Sequence, residues 1–141
     1  MRLTLARLFL ALPLAAFVGC GSGEGPVPVR GTVTYRGAPL PSALVVFMPE
    51  TPGVLPASGL TDSDGRFELM TRSPRDGAYP GKYRVTITAR REPPGAPGGV
   101  LVLPTEPAEP LIPEKYFMPD TSGLTAEVPR EGLNVDFNLT D

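Results

Sequence analysis

The chain has 141 residues, 13 basic and 15 acidic, for a formal charge of −2; this is enough for one domain, and a mildly acidic balance lacks the basic footprint that nucleic acid requires. It has no His, no Trp and a single Cys, which excludes His-based acid–base chemistry, Ser-His-Asp triads, His-ligated metals, internal disulfides and multi-cysteine metal sites. No motif calls for a cofactor.

The N-terminus opens with Arg2 and Arg7, and residues 8–18 form an apolar stretch. That length suits the core of a signal peptide and is too short for a permanent membrane-spanning helix. The stretch ends in Phe17-Val18-Gly19-Cys20, which resembles the bacterial lipobox, usually Leu-Ala/Ser-Gly/Ala-Cys. Gly19 and Cys20 match its most restrictive positions, while Phe17 and Val18 depart from the usual residues. The resemblance implies a signal peptide over 1–19, cleavage after Gly19, a diacylglyceryl group on the Cys20 thiol and acylation of the new amine. Each buried methylene contributes about 0.8 kcal/mol and one chain binds only marginally, so two or three chains are what hold such a protein to a membrane. The competing reading is an ordinary secretory peptide with an incidental Cys. Residues 20–26, rich in Gly, read as a flexible tether. Localisation follows as a cell membrane or outer membrane, facing the periplasm or the exterior. The absence of Asp directly after Cys20 leans toward the outer membrane.

Residues 27–141 read as one domain. Val27, Val29, Val33 and Tyr35 alternate with polar residues, the period of a half-buried strand. The run Ala43-Leu44-Val45-Val46-Phe47-Met48 reads as a strand buried on both faces. Residues 58–61 and 66–69 flank Asp62-Ser63-Asp64-Gly65, which predicts a tight hairpin. Tyr83, Val85, Ile87 and Ala89 alternate with Arg84, Thr86 and Thr88. Residues 90–113 are a Pro-rich excursion with an apolar island at Val100-Leu101-Val102-Leu103, and the prolines forbid a central strand over most of it. Residues 124–128 and 133–139 predict two closing strands. The 19 prolines and 16 glycines punctuate β-branched runs, the pattern of an all-β domain. The expected fold is a seven-stranded antiparallel Greek-key β-sandwich. Its inward residues would be Val29, Val33, Val45, Phe47, Phe67, Leu69, Tyr83, Val85, Ile87, Leu124, Val128, Val135 and Phe137.

The segments Val29-Arg30-Gly31-Thr32-Val33-Thr34-Tyr35-Arg36-Gly37-Ala38-Pro39-Leu40, Ala43-Leu44-Val45-Val46-Phe47, Gly59-Leu60-Thr61-Asp62-Ser63-Asp64-Gly65-Arg66-Phe67 and Tyr79-Pro80-Gly81-Lys82-Tyr83-Arg84-Val85-Thr86-Ile87 resemble, in order and spacing, the carboxypeptidase regulatory-like domain of the transthyretin-like group. Pro113-Glu114-Lys115-Tyr116 and 122–128 are similar to the C-terminal part of short envelope lipoproteins carrying that domain. The resemblance covers about residues 27–140 and implies an accessory module for folding, spacing or binding, without catalytic activity of its own.

Four local features carry a sharper and a plainer reading. Asp62-x-Asp64-Gly65 is reminiscent of a calcium loop, but position twelve counted from Asp62 is Ser73, where an EF-hand needs a bidentate Glu; a structural turn is the plainer reading. Tyr35, Tyr79, Tyr83 and Tyr116 are either a carbohydrate-stacking platform or, for Tyr35 and Tyr83, core. Arg84, Arg90 and Arg91 form either an anionic contact or a solvated strand end. Lys82 and Lys115, the only lysines, are the only candidates for an isopeptide crosslink. The expectation is therefore a non-enzymatic structural or binding module, tied to the membrane through Cys20, with a protein or glycan partner in the envelope. The alternative is a carbohydrate- or envelope-polymer-binding module using 90–113 as its contact loop.

Overall fold

In the computed structural model of the chain, residues 25–91 and 108–141 are described; Cys20, the expected signal peptide over 1–19, most of the expected tether and most of the Pro-rich stretch lie outside them. In chain order the elements are β1 (Val29–Tyr35), β2 (Ala38–Pro39), β3 (Leu44–Pro49), β4 (Ala57–Leu60), β5 (Arg66–Glu68), β6 (Gly81–Thr88), β7 (Arg90–Arg91), β8 (Glu109–Pro110), a 3-10 turn (Glu114–Phe117), β9 (Leu124–Val128) and β10 (Leu133–Leu139).

These strands build two four-stranded sheets and a two-residue ladder. One sheet places β10 beside β1, with β2 and β5 along the other side of β1; the second has the order β4-β3-β6-β9. The period-2 pattern predicted for β1, β6 and β10 sends their odd-numbered residues inward. Phe47 of one sheet meets Phe137 of the other edge-on, ring centroids 6.2 Å apart, and Tyr83 lies 5.6 Å from Phe47 on its own sheet. Such aromatic pairs contribute about 0.5–1.5 kcal/mol beyond the area they bury. Around them a single core unites both sheets, a β-sandwich arrangement, and includes Val29, Val33, Val45, Phe67, Leu69, Val85, Ile87, Val128 and Leu139.

Several expectations are corrected. The sandwich is not wholly antiparallel: β1 and β10 pair in parallel, from Val29↔Leu133 to Tyr35↔Leu139. A hairpin would force antiparallel pairing, but these strands are separated by the whole domain and are free of that constraint. There are ten strands among the described residues rather than seven, with β2, β7 and β8 each two residues long. The run at 43–48 is buried on one face only, since Leu44 is 42% and Met48 41% exposed while Val45 and Phe47 are fully buried; an apolar run alone does not say how many layers cover it. The predicted hairpin is open in its middle. Asp62 and Arg66 close the turn, and Ser58 and Met70 exchange hydrogen bonds of 2.9 and 2.8 Å. Between those points β4 pairs with β3 and β5 with β1, so the turn becomes a corner between sheets. Leu124 and Val135, expected in the core, are half-buried against it. Ala43, Ala57, Ile112, Tyr116 and Leu139 join the core without having been expected.

Close backbone approach explains one glycine directly. A Cβ on Gly31 would stand 1.7 Å from the Val135 carbonyl oxygen, so the parallel ladder requires glycine there. The Pro-rich excursion has a short stem, with Arg90 opposite Pro110 and Arg91 opposite Glu109. Pro110 is tolerated because β8 has only β7 as a partner.

Candidate functional site

The outer face of the β5-β1-β10 sheet is polar because alternation turns Arg30, Thr32 and Thr34 outward beside Asn134, Asp136 and Asn138. Thr32 donates its hydroxyl to Asp136 Oδ1 at 2.6 Å and its amide to the same oxygen at 3.1 Å. The Thr34 hydroxyl donates to Asn138 Oδ1 at 2.7 Å. These bonds fix the carboxylate and the amide along the strand. Beside them Arg30, Thr32, Arg66, Glu68, Asn134 and Asp136 line a shallow depression of about 470 Å³. Among the described residues, the Arg30 guanidinium and the Asn134 side-chain amide make no hydrogen bond, which leaves donors and an acceptor open at the depression. The arrangement suits hydrogen-bonded recognition of a polar molecule. Thr32 and Asp136 touch, but both Thr32 donors converge on one oxygen, which is a positioning arrangement.

The residues singled out in the sequence are distributed differently. Cys20 lies outside the described residues. Asp62 Oδ1 accepts the amides of Asp64 and Arg66, both at 2.9 Å, so that carboxylate closes the turn. Among the described residues no three His, Cys, Asp or Glu side chains gather to hold a metal. The tyrosines share no platform: Tyr83 is a core residue whose hydroxyl donates to the Tyr79 carbonyl at 2.7 Å, and burial pushes that hydroxyl's pKa up. Tyr116 is buried and holds the backbone of Thr140 through its hydroxyl. Arg84, Arg90 and Arg91 each have partners. Arg84 pairs with Asp120 and Glu50, Arg91 pairs with Glu109 at 2.9 Å, and Arg90 stands 4.9 Å over the Phe117 ring. Lys115 Nζ donates to the Asp141 carbonyl at 2.8 Å.

One polar cluster was not foreseen. Asp141 accepts from Arg36 (Nη2 at 2.5 Å) and from the Tyr35 hydroxyl (2.5 Å). The Arg36 guanidinium, then the Tyr35 hydroxyl, hold the Asp141 carboxyl below its usual range. The same hydrogen bond to Asp141 raises Tyr35. All three groups are solvent-facing, and the pairing fastens the end of β10 to the β1–β2 turn. No local signal joins residues so far apart in sequence.

No protein-family model matches the chain, and no curated protein matches it. Among solved structures it is similar to a DUF3823 family protein from Parabacteroides merdae ATCC 43184, with 18% identity, a TM-score of 0.38, and coverage of 83% of this chain and 46% of that one. It is similar also to chlorocatechol 1,2-dioxygenase from Pseudomonas putida, with 13% identity, a TM-score of 0.39, and coverage of 86% and 62%. A third is the dioxygenase domain of a dioxygenase carbohydrate-binding protein fusion from Streptomyces sp. SirexAA-E, with 24% identity, a TM-score of 0.35, and coverage of 84% and 83%. The chain thus spans about half of the first structure's length and three fifths of the second's. Likenesses of this size carry no function across to this chain.

Proposed function

We propose that this chain is a lipid-anchored protein of the bacterial cell envelope whose Greek-key sandwich, of carboxypeptidase regulatory-like type, serves as a non-enzymatic structural or binding module. The observation that carries the reading is Gly19-Cys20 behind the apolar stretch 8–18, with the first bridged residue, Val27, a few positions further on. A short tether of that kind keeps a folded domain close to the bilayer. The absence of His from the whole sequence and the engagement of Asp62 in its turn support the non-enzymatic part. The test is intact mass of the protein from the membrane fraction. The expected species begins at Cys20 and carries a diacylglyceryl group plus an acyl chain, and Cys20→Ser abolishes both the modification and membrane retention. A mature N-terminus elsewhere, or an unmodified Cys20, overturns the anchor.

A second reading, recognition of a carbohydrate or envelope polymer, is favoured by the polar depression lined by Arg30, Asn134 and Asp136. A glycan array and a cell-wall pull-down test it. Binding that falls with Arg30→Ala assigns the sheet face. Binding that is lost only on deletion of 93–110 assigns the Pro-rich loop.

A further inference from the structure

Among the described residues, β10 is the longest strand at the edge of a sheet. It ends its sheet there, with β1 as its only partner among the described residues. The Leu133 amide donates to the Pro28 carbonyl and the Leu139 carbonyl accepts from the Arg36 amide. Odd-numbered residues therefore turn their backbone groups toward β1. The amides and carbonyls of Asn134, Asp136 and Asn138 point the other way, and no described residue bonds them. They present three donors and three acceptors over roughly 14 Å of strand.

Exposed edges are ordinarily blunted by Pro, Lys, bulges or shortness. β4 is bridged through Ser58 to Met70, and β9 stops at Pro129. Residues 133–139 contain no Pro, Gly or Lys and run straight through seven paired positions. A second observation points the same way. β4 and β5 close one side of the sandwich, which puts β9 and β10 together on the opposite side. There Val128, Phe137 and Leu139 are buried, but the inward residues Leu124, Ala126, Leu133 and Val135 are only half-buried, while Ala57, Phe67 and Leu69 on the closed side are at most 2% exposed. A strand laid on β10 would satisfy the free backbone groups and cover that apolar seam at the same time.

We infer that the β10 edge binds an extended peptide segment of a partner protein by strand addition. Main-chain hydrogen bonds would supply affinity and alternate side chains specificity. Apolar residues at alternate positions would fill the seam toward Leu133 and Val135. On the outer face a basic residue belongs opposite Asp136, since cross-strand opposite charges are favourable. The same carboxylate disfavours a second copy paired symmetrically about residue 136, where like charges would face each other. Because Thr32 and Thr34 already hold Asp136 and Asn138, little side-chain ordering remains to oppose binding. The inference does not rest on the lipid anchor and stands whether or not Cys20 is acylated.

The test uses the full chain in mild detergent. The probe is a short capped peptide of alternating valine and threonine with one central lysine, followed by residue-resolved NMR and sedimentation. The expected result is a monomer in which the peptide shifts and protects the amides of Asn134, Asp136 and Asn138. Asn134→Pro removes one outward amide without touching the Thr32 or Thr34 bonds, and weakens binding by about tenfold. Asn134→Thr keeps binding within about twofold. Three results would each overturn the inference: the three amides already protected in the free monomer, which assigns the edge to the chain's own residues; a dimer that protects them, which assigns it to a second copy; or no shift at saturating peptide.

Discussion

Where β4 meets β5, Ser58 and Met70 exchange both backbone hydrogen bonds, and Gly59 lies so close to the Glu68 carbonyl that a Cβ would stand 2.4 Å from its oxygen. Where β9 lies on the same side as β10, the strands belong to separate sheets, and Leu124, Ala126, Leu133 and Val135 keep part of their apolar surface in water. One sequence thus finishes the two sides of one core in opposite ways. A closed side stabilises the domain. An open side leaves backbone and apolar groups available to a partner, and in a single β-domain those are the groups that recognition by strand addition uses.

The contrast makes graded predictions. Leu69→Ala on the closed side removes a fully buried side chain and should lower unfolding free energy by about 2–5 kcal/mol in a urea titration. Gly31→Ala forces a Cβ against the Val135 carbonyl and should cost about 1–3 kcal/mol, with loss of protection along β10 as its specific mark. Val135→Ala on the open side should cost only about 1 kcal/mol, because the side chain is half in water already. A cost as large as that of Leu69→Ala would show that the seam is closed after all.

The smallest effect concerns acid. The Asp76 carboxylate accepts the amides of Thr71 (2.7 Å), Ser73 (2.9 Å) and Arg72 (3.0 Å), and these bonds, Thr71's first, hold its pKa below the ordinary carboxylate value. A carboxyl depressed in the folded state contributes stability that is present above the unfolded value near 3.8 and is lost as pH falls through the folded value. Asp76→Asn should therefore flatten the melting-temperature profile below about pH 4, with thermal melts from pH 2 to 6 as the check.

Much of the fold was legible because it is local. The alternation of Tyr83, Val85 and Ile87 identified the face that became core, and Asp62 with Gly65 identified the turn. What was not legible depends on what lies across from a strand. Leu133 and Val135 follow the same period as Phe137 and Leu139, yet only the latter pair is buried, since periodicity records a face and does not show that Phe47 and Phe67 pack on Phe137 or that buried Tyr116 is bonded to Thr140 at that end of the strand. The parallel pairing of β1 with β10 has no turn to announce it. Leu44 and Met48 look as apolar as Val45 and Phe47 and differ only in the absence of a covering layer among the described residues. The candidate site was unreadable for the same reason, since Arg30, Arg66 and Asn134 come together from three separated strands.

Residue-resolved amide hydrogen exchange on the full-length monomer tests the closed and open sides most directly. The account predicts slow exchange at Ser58 and Met70, whose amides are bonded across the closed side, and fast exchange at Asn134, Asp136 and Asn138 within an otherwise protected β10. Equal protection at both sets of amides would contradict it.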